Sequence, residues 1–170
     1  MRATLTIALC GLLASPACAA TLDVEVEIPK LNVAEYHRPY VAIWVEDAEQ
    51  KVAANLAVWY QSKDTAEGHG TKWLPDLRQW WRKSGRTLTV PVDGVTGPTR
   101  PAGKHALSFT DKQQLKGLAP GQYTLVVEAV REVGGRELLK IPFAWPAKTP
   151  ETGKAQGSSE LGAVSLTVSP

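Results

Sequence analysis

Beyond its first 20 residues this 170-residue chain has neither cysteine nor methionine, because Cys10, Cys18 and Met1 are the only ones. A chain cut near residue 20 therefore has no disulfide, no thiolate nucleophile, no Cys-bound zinc, no blue-copper site and no c-type haem attachment. Charge of one sign is lacking too. The net charge is +2 at pH 7, and +1 without Arg2, so composition gives no support to nucleic-acid binding. Long hydrophobic runs are also missing after residue 20, where no stretch reaches the roughly 18 apolar residues of a membrane span.

What is there begins at the N-terminus. Met1-Arg2 is followed by an apolar run through Leu13, and Ser15-Pro16-Ala17-Cys18-Ala19-Ala20 ends in small residues. A positive start, an apolar stretch of export length and a small-residue cleavage site make residues 1–20 a signal peptide. Cutting after Ala19 uses Ala17 and Ala19 as the small pair, and cutting after Ala20 uses Cys18 and Ala20. Retention of Cys18 as an acylated lipoprotein terminus is disfavoured, since Ser15-Pro16-Ala17 lacks the leucine usual three residues before such a cysteine. The expectation is a periplasmic protein with no membrane insertion after signal removal. Residues 21–170 would form one domain burying roughly 68–70% of its unfolded surface.

Leu22 to Ile28 alternates apolar and acidic residues, the pattern of a strand with one wet face, and Pro29 stops it. Tyr40 to Glu46 is apolar on both faces and reads as an inner strand, with Trp44 opposite the Val41/Ile43/Val45 row. Asp47-Ala48-Glu49-Gln50 turns the chain into its hairpin partner, Lys51 to Gln61. Further short strands are expected at 86–92, 104–109, 122–130, 136–145 and 163–168, with turns at Pro120-Gly121 and Gly134-Gly135. The segment 146–160, rich in Pro, Gly, Ser and Lys, reads as a mobile loop. About eight strands without a βαβ rhythm predict an all-β, Ig-like antiparallel β-sandwich.

One segment has helical period. Trp73, Leu74, Leu77, Trp80 and Trp81 fall within an arc of roughly 120° at 3.6 residues per turn. Pro75 suits the first helical position and Gly85 the stop, predicting one short amphipathic helix over 75–84. It must dock on the sandwich to bury its indoles.

The phrases EYHRPYVAIWVED (35–47), KWLPDLRQWWRKSGR (72–86), GVTGPTRPAGKHAL (94–107) and PGQYTLVVEAVREVGGREL (120–138) resemble the predicted periplasmic proteins of domain-of-unknown-function family 2271. Residues 93–131 are also similar in layout to the Ig-like module of the flagellar hook-capping protein. The first resemblance implies an exported domain and no particular activity. The second implies an Ig-like sandwich and no function, since sandwiches host many.

Of the chemistry-bearing residues, His37, His69 and His105 lie far apart, without close metal-ligand spacing. A site built on imidazole and carboxylate would suit zinc or Cu(II) better than Cu(I). There is no Gly-x-Ser-x-Gly elbow and no phosphate-binding glycine motif, and Glu46, Asp47 and Glu49 cluster at a turn, so no enzyme activity is expected. The most specific feature is basic and aromatic. Lys72, Arg78, Arg82, Lys83 and Arg86 surround Trp73, Trp80 and Trp81, either as a platform for a flat or anionic ligand or as indoles anchoring a helix whose cations face water. Leu77 and Trp80 sit centrally on the stripe and read as anchors. For Trp73 and Trp81, at its edges, both readings stay open. Tyr36-His37-Arg38-Pro39-Tyr40, Arg100 and Arg131 pose the same alternative between acid binding and loop support.

The sequence thus predicts a non-enzymatic binding or accessory module that needs no cofactor. Its candidate surface is Tyr36, His37, Arg38, Trp73, Trp81, Arg82, Arg100 and Arg131, gathered from loops at one end of the sandwich. It would meet a periplasmic protein partner or an anionic or aromatic ligand. The alternative is a metal- or haem-handling protein using His37 or His105.

Overall fold

A computed structural model of the chain describes residues 19–65 and 68–170. The expected signal segment lies outside the described residues through residue 18. Two sheets pack face to face. The smaller has strand order β5-β1-β9-β8, from β5 (Gly103–Thr110), β1 (Thr21–Ile28), β9 (Ala163–Ser169) and β8 (Glu151–Gln156). The larger has order β4-β3-β2-β6-β7, from β4 (Thr96–Pro98), β3 (Val52–Tyr60), β2 (Tyr40–Glu46), β6 (Gly121–Val130) and β7 (Arg136–Trp145). Alternation in β1 sends Leu22, Val24, Val26 and Ile28 inward, against Val41, Ile43 and Val45 of β2 and Leu125, Val127 and Ala129 of β6.

The other face of β2 is equally buried. Ala42 and Trp44 join Val58, Tyr60 and Val126 in a second apolar layer, roofed by Leu74, Leu77 and Trp80. This is the docking that the indole stripe requires: a strand apolar on both faces needs a cover, and the helical segment is that cover.

Four expectations are corrected. The helix is not continuous over 75–84. A 3-10 turn (Gly70–Asp76) contains Pro75, the chain kinks at Leu77 (φ −71°, ψ 68°), and α1 runs only Arg78–Lys83, followed by a second 3-10 turn at Gly85–Thr87. Run 86–92 forms no strand. Its place is taken by β4, which lies within 93–103, a stretch rich in Gly and Pro, and pairs parallel to β3, so the sandwich is not wholly antiparallel. Residues 146–160, expected as a loop, contain β8, and the strands number nine. Finally, the β6–β7 turn is centred on Glu132-Val133, not Gly134-Gly135. The Gly134 N–H donates to the Arg131 carbonyl at 3.0 Å, and Val133 takes the positive φ of 51°.

The ordering of 157–162 has a direct cause. The Glu137 carboxylate of β7 accepts the backbone N–H groups of Ser158 (2.7 Å), Ser159 (3.0 Å) and Leu161 (2.9 Å), along with both serine hydroxyls. Polar composition alone cannot show that a distant carboxylate collects these donors.

Candidate functional site

Strand pairing sets the location of the site. Tyr40 at the start of β2 lies opposite Val130 at the end of β6, and Val41 lies opposite Trp59 near the end of β3. Tyr60 pairs with Pro98, so β4 ends beside β3. The segments before β2 and after β3, β4 and β6 therefore meet at one end of the larger sheet. There they border a cleft of about 610 Å³, a volume typical of small-molecule sites.

One wall is Tyr36, His37, Arg38 and Tyr40, and another is Trp73, Asp76 and Arg78 from the helical segment. Gln61 and Thr99 come from strand ends, and Val130 through Val133 complete the lining. The Tyr40 hydroxyl donates to the Gly70 carbonyl at 3.1 Å, tying the first wall to the second. Burial, its main cause, raises the Tyr40 pKa above the ordinary phenol value, so this hydroxyl keeps its proton. The Lys72 ammonium lies 4.0 Å from the Trp73 ring centroid, a cation–π contact on a cleft residue.

Arg131 is the buried cation of the site. Its side chain is only 6% exposed and meets the equally buried Glu160 as a fork, Nε donating to Oε2 at 2.8 Å and Nη2 to Oε1 at 3.2 Å. Its third nitrogen, Nη1, has no acceptor among the described residues. The guanidinium lies against its own hairpin: a Cβ added at Gly134 would fall 2.5 Å from Cζ. Arg38 and Arg78 are exposed, and their side chains make no ion pair or hydrogen bond among the described residues.

The lining thus brings together Tyr36, His37, Arg38, Trp73 and Arg131 of the expected surface. The others lie elsewhere. Arg100 stacks on buried Trp59 at 5.4 Å. Trp81 is half-buried against Trp80, 6.3 Å between centroids. Arg82 turns back to the Arg78 carbonyl (3.2 Å) and the Gln79 amide oxygen (3.0 Å).

The histidines do not form a metal centre. His105 bonds the Pro101 carbonyl at 2.8 Å and sets its ring edge-on to Trp59 at 5.7 Å. His37 has Glu35 at 2.7 Å on Nε2 and Glu132 at 3.6 Å on Nδ1, so each nitrogen faces a carboxylate. Among the described residues no group of three or more His, Cys, Asp or Glu side chains is placed to hold a metal ion. That geometry gives no support to a metal site built on His37 or His105 among the described residues.

Sequence reasoning missed the buried carboxylates. Glu128 of β6 is fully buried and accepts the Gln79 N–H at 3.0 Å and the Trp80 N–H at 2.8 Å, while Arg136 reaches it at 2.7 Å. It thereby caps α1 from the sheet, since the N-cap Leu77 offers no side-chain acceptor. Glu46 accepts from the Trp44 indole (2.9 Å), Lys83 (2.8 Å) and Lys140 (3.4 Å). Burial pushes its pKa upward, but Lys83, Trp44 and Lys140 outweigh that and hold it below the ordinary carboxylate value. The signal was present: both acids stand on the β2 and β6 faces that also carry Trp44 and Val126, so those faces had to be covered.

No curated protein and no solved structure matches the chain. The model of the family described as "Predicted periplasmic protein (DUF2271)" matches residues 21–163, from the start of β1 to the start of β9. No helix among the described residues is long and apolar enough to cross a membrane. The chain belongs to this family of predicted periplasmic proteins.

Proposed function

We propose that this Ig-like sandwich is a non-enzymatic periplasmic binding or accessory module that takes its ligand in the cleft at the end of the larger sheet. One observation carries the reading. Among the described residues the large hydrophobic side chains left exposed are Val33 (42%), Tyr36 (39%) and Val133 (71%). Two of them line the cleft, and the third is three residues from Tyr36. A folded chain that buries Trp44 and Trp80 completely nevertheless concentrates its exposed apolar side chains at one place. Exposed apolar groups gathered beside a concave site favour binding over solubility.

Backbone conformation supports the same reading. A β-branched residue at φ 51° is strained, and such strain collects at sites of recognition. Arg38 and Arg78, exposed and without a side-chain partner among the described residues, line the cleft together with Tyr36 and Trp73, and these are the residue types that most often dominate binding.

Native mass spectrometry of protein purified from its own compartment tests the proposal. The wild type is expected to carry a bound molecule that the Arg38→Ala/Trp73→Ala variant loses while melting at the same temperature. Equal loading of the two folded proteins contradicts a binding role for the cleft.

A further inference from the structure

We infer that the cleft recognises a carboxylate borne on a flat apolar group, with the Nη1 edge of Arg131 as its buried anchor. This deepens the proposed binding role and rests on it.

One buried donor of the cleft wall, Arg131 Nη1, is unmatched among the described residues. A buried N–H group without an acceptor costs roughly 1–3 kcal/mol, and more when charged, so native chains seldom leave one unpaired. Arg131 spends one edge of its planar fork, Nε with Nη2, on Glu160. The adjacent edge, Nη1 with the second hydrogen of Nη2, is the shape that grips two oxygens of one carboxylate. Glu160 cannot turn to serve that edge, because its Oε1 also accepts the Gly135 N–H at 2.7 Å. Nη1 is buried, and Arg131 lines the cleft, so a ligand oxygen that reaches this edge must displace the atoms now covering it.

Charge selects the class of anion. The lining sets the guanidinium groups of Arg38, Arg78 and Arg131 against the carboxylates of Asp76 and Glu132, and Glu160 already neutralises Arg131. Three guanidinium groups against three carboxylates leave the site formally neutral, so a carboxylate monoanion brings less uncompensated charge into it than a phosphate dianion. The apolar part of the ligand is set by the aromatic side chains of Tyr36 and Trp73, which line the same cleft as the cations. A free aromatic acid and the C-terminus of a polypeptide ending in an aromatic residue offer the same chemistry.

The test measures affinity by calorimetry on the folded protein. Four probes are used: phenylacetate, phenylacetamide, and an N-acetylated tripeptide ending in phenylalanine as free acid and as amide. Each acid should bind at least about tenfold more tightly than its amide, the worth of a charge-assisted hydrogen bond. Tighter binding of the peptide acid assigns the site to chain termini, and tighter binding of phenylacetate assigns it to small free acids. Arg131→Lys keeps a cation for Glu160 but lacks Nη1, and should erase the preference for acid over amide. Should Arg131→Lys fail to fold, Arg38→Ala/Arg78→Ala decides, since it removes the exposed charges and should lower acid affinity about tenfold or more. Arg82→Ala, outside the cleft, should bind as wild type. If acid and amide bind alike, or the folded variants keep the preference, the carboxylate assignment is overturned, while cleft binding itself stands or falls by the loading of the native protein. If none of the probes binds at millimolar concentration, the assignment is likewise overturned.

Discussion

The roof over the larger sheet and the cleft at its end are built from the same residue types, yet they differ in how completely those residues are matched. Under the roof, Glu128 meets two backbone N–H groups and Arg136, Glu46 meets an indole and two lysines, and the Trp80 indole N–H donates to Asn55 at 2.8 Å. In the cleft, among the described residues, Arg131 keeps one nitrogen without an acceptor, the Arg38 and Arg78 side chains have no partner, and Tyr36 and Val133 stand exposed. Tryptophan beside arginine is thus no signature by itself. Saturated pairing marks groups that hold the fold, and incomplete pairing at a concave surface marks groups held for something else.

Breaking the matched region should do most damage. Trp80→Ala empties a fully buried site and removes the bond to Asn55, so about 3–5 kcal/mol of stability should be lost in denaturant unfolding. Glu128→Ala should cost less, about 1–3 kcal/mol, by stripping the N–H groups of Gln79 and Trp80 of their acceptor. Loss of α1 helicity by circular dichroism, with the sheet signal retained, would locate that effect.

Acid should loosen a third region. Burial raises the Glu137 pKa, but the N–H groups of Ser158, Leu161 and Ser159 outweigh it and hold the group at about 2 against an ordinary 4.5. A depressed carboxylate stabilises fully above its unfolded value, and that contribution fades as pH falls through about 4.5 towards 2. Hydrogen exchange at 157–162 should therefore accelerate in that window in the wild type. In Glu137→Gln it should already be fast at pH 7.

The smallest effects should come from the cleft and the exposed helix face. Arg38→Ala, Arg78→Ala and Arg82→Ala should each change stability by less than about 0.5–1 kcal/mol, because exposed cations contribute little. The comparison sharpens there, since the first two should alter binding and the third should not.

Much of this was legible in the chain. Alternation in β1, the doubly apolar β2 and the i, i+4, i+7 stripe of Leu77 and its neighbours led directly to two sheets and a docked helical cover. The expected gathering of the Tyr36–Tyr40, Lys72–Arg86 and Thr99–Arg100 loops is only partial, since Tyr36, Arg38, Trp73, Arg78 and Thr99 line the cleft while Trp81, Arg82 and Arg100 do not. What was not legible depends on partners remote in sequence. Glu137 orders a segment more than 20 residues away, Glu128 caps a helix 49 residues before it, and Arg131 finds Glu160 at a separation of 29. β4 escaped because a three-residue parallel strand through Gly97 and Pro98 has neither period nor β-rich composition. Arg100 and His105 were drawn towards recognition because nothing local shows that Trp59 lies between them.

The most direct test of the contrast between roof and cleft is one ¹H–¹⁵N spectrum of the arginine and tryptophan side chains, followed as phenylacetate is added. The Arg131 guanidinium and Trp73 indole signals should move saturably while those of Trp80, Trp81 and Arg82 stay in place. Shifts centred on Trp81 and Arg82, with Arg131 unmoved, would contradict that contrast.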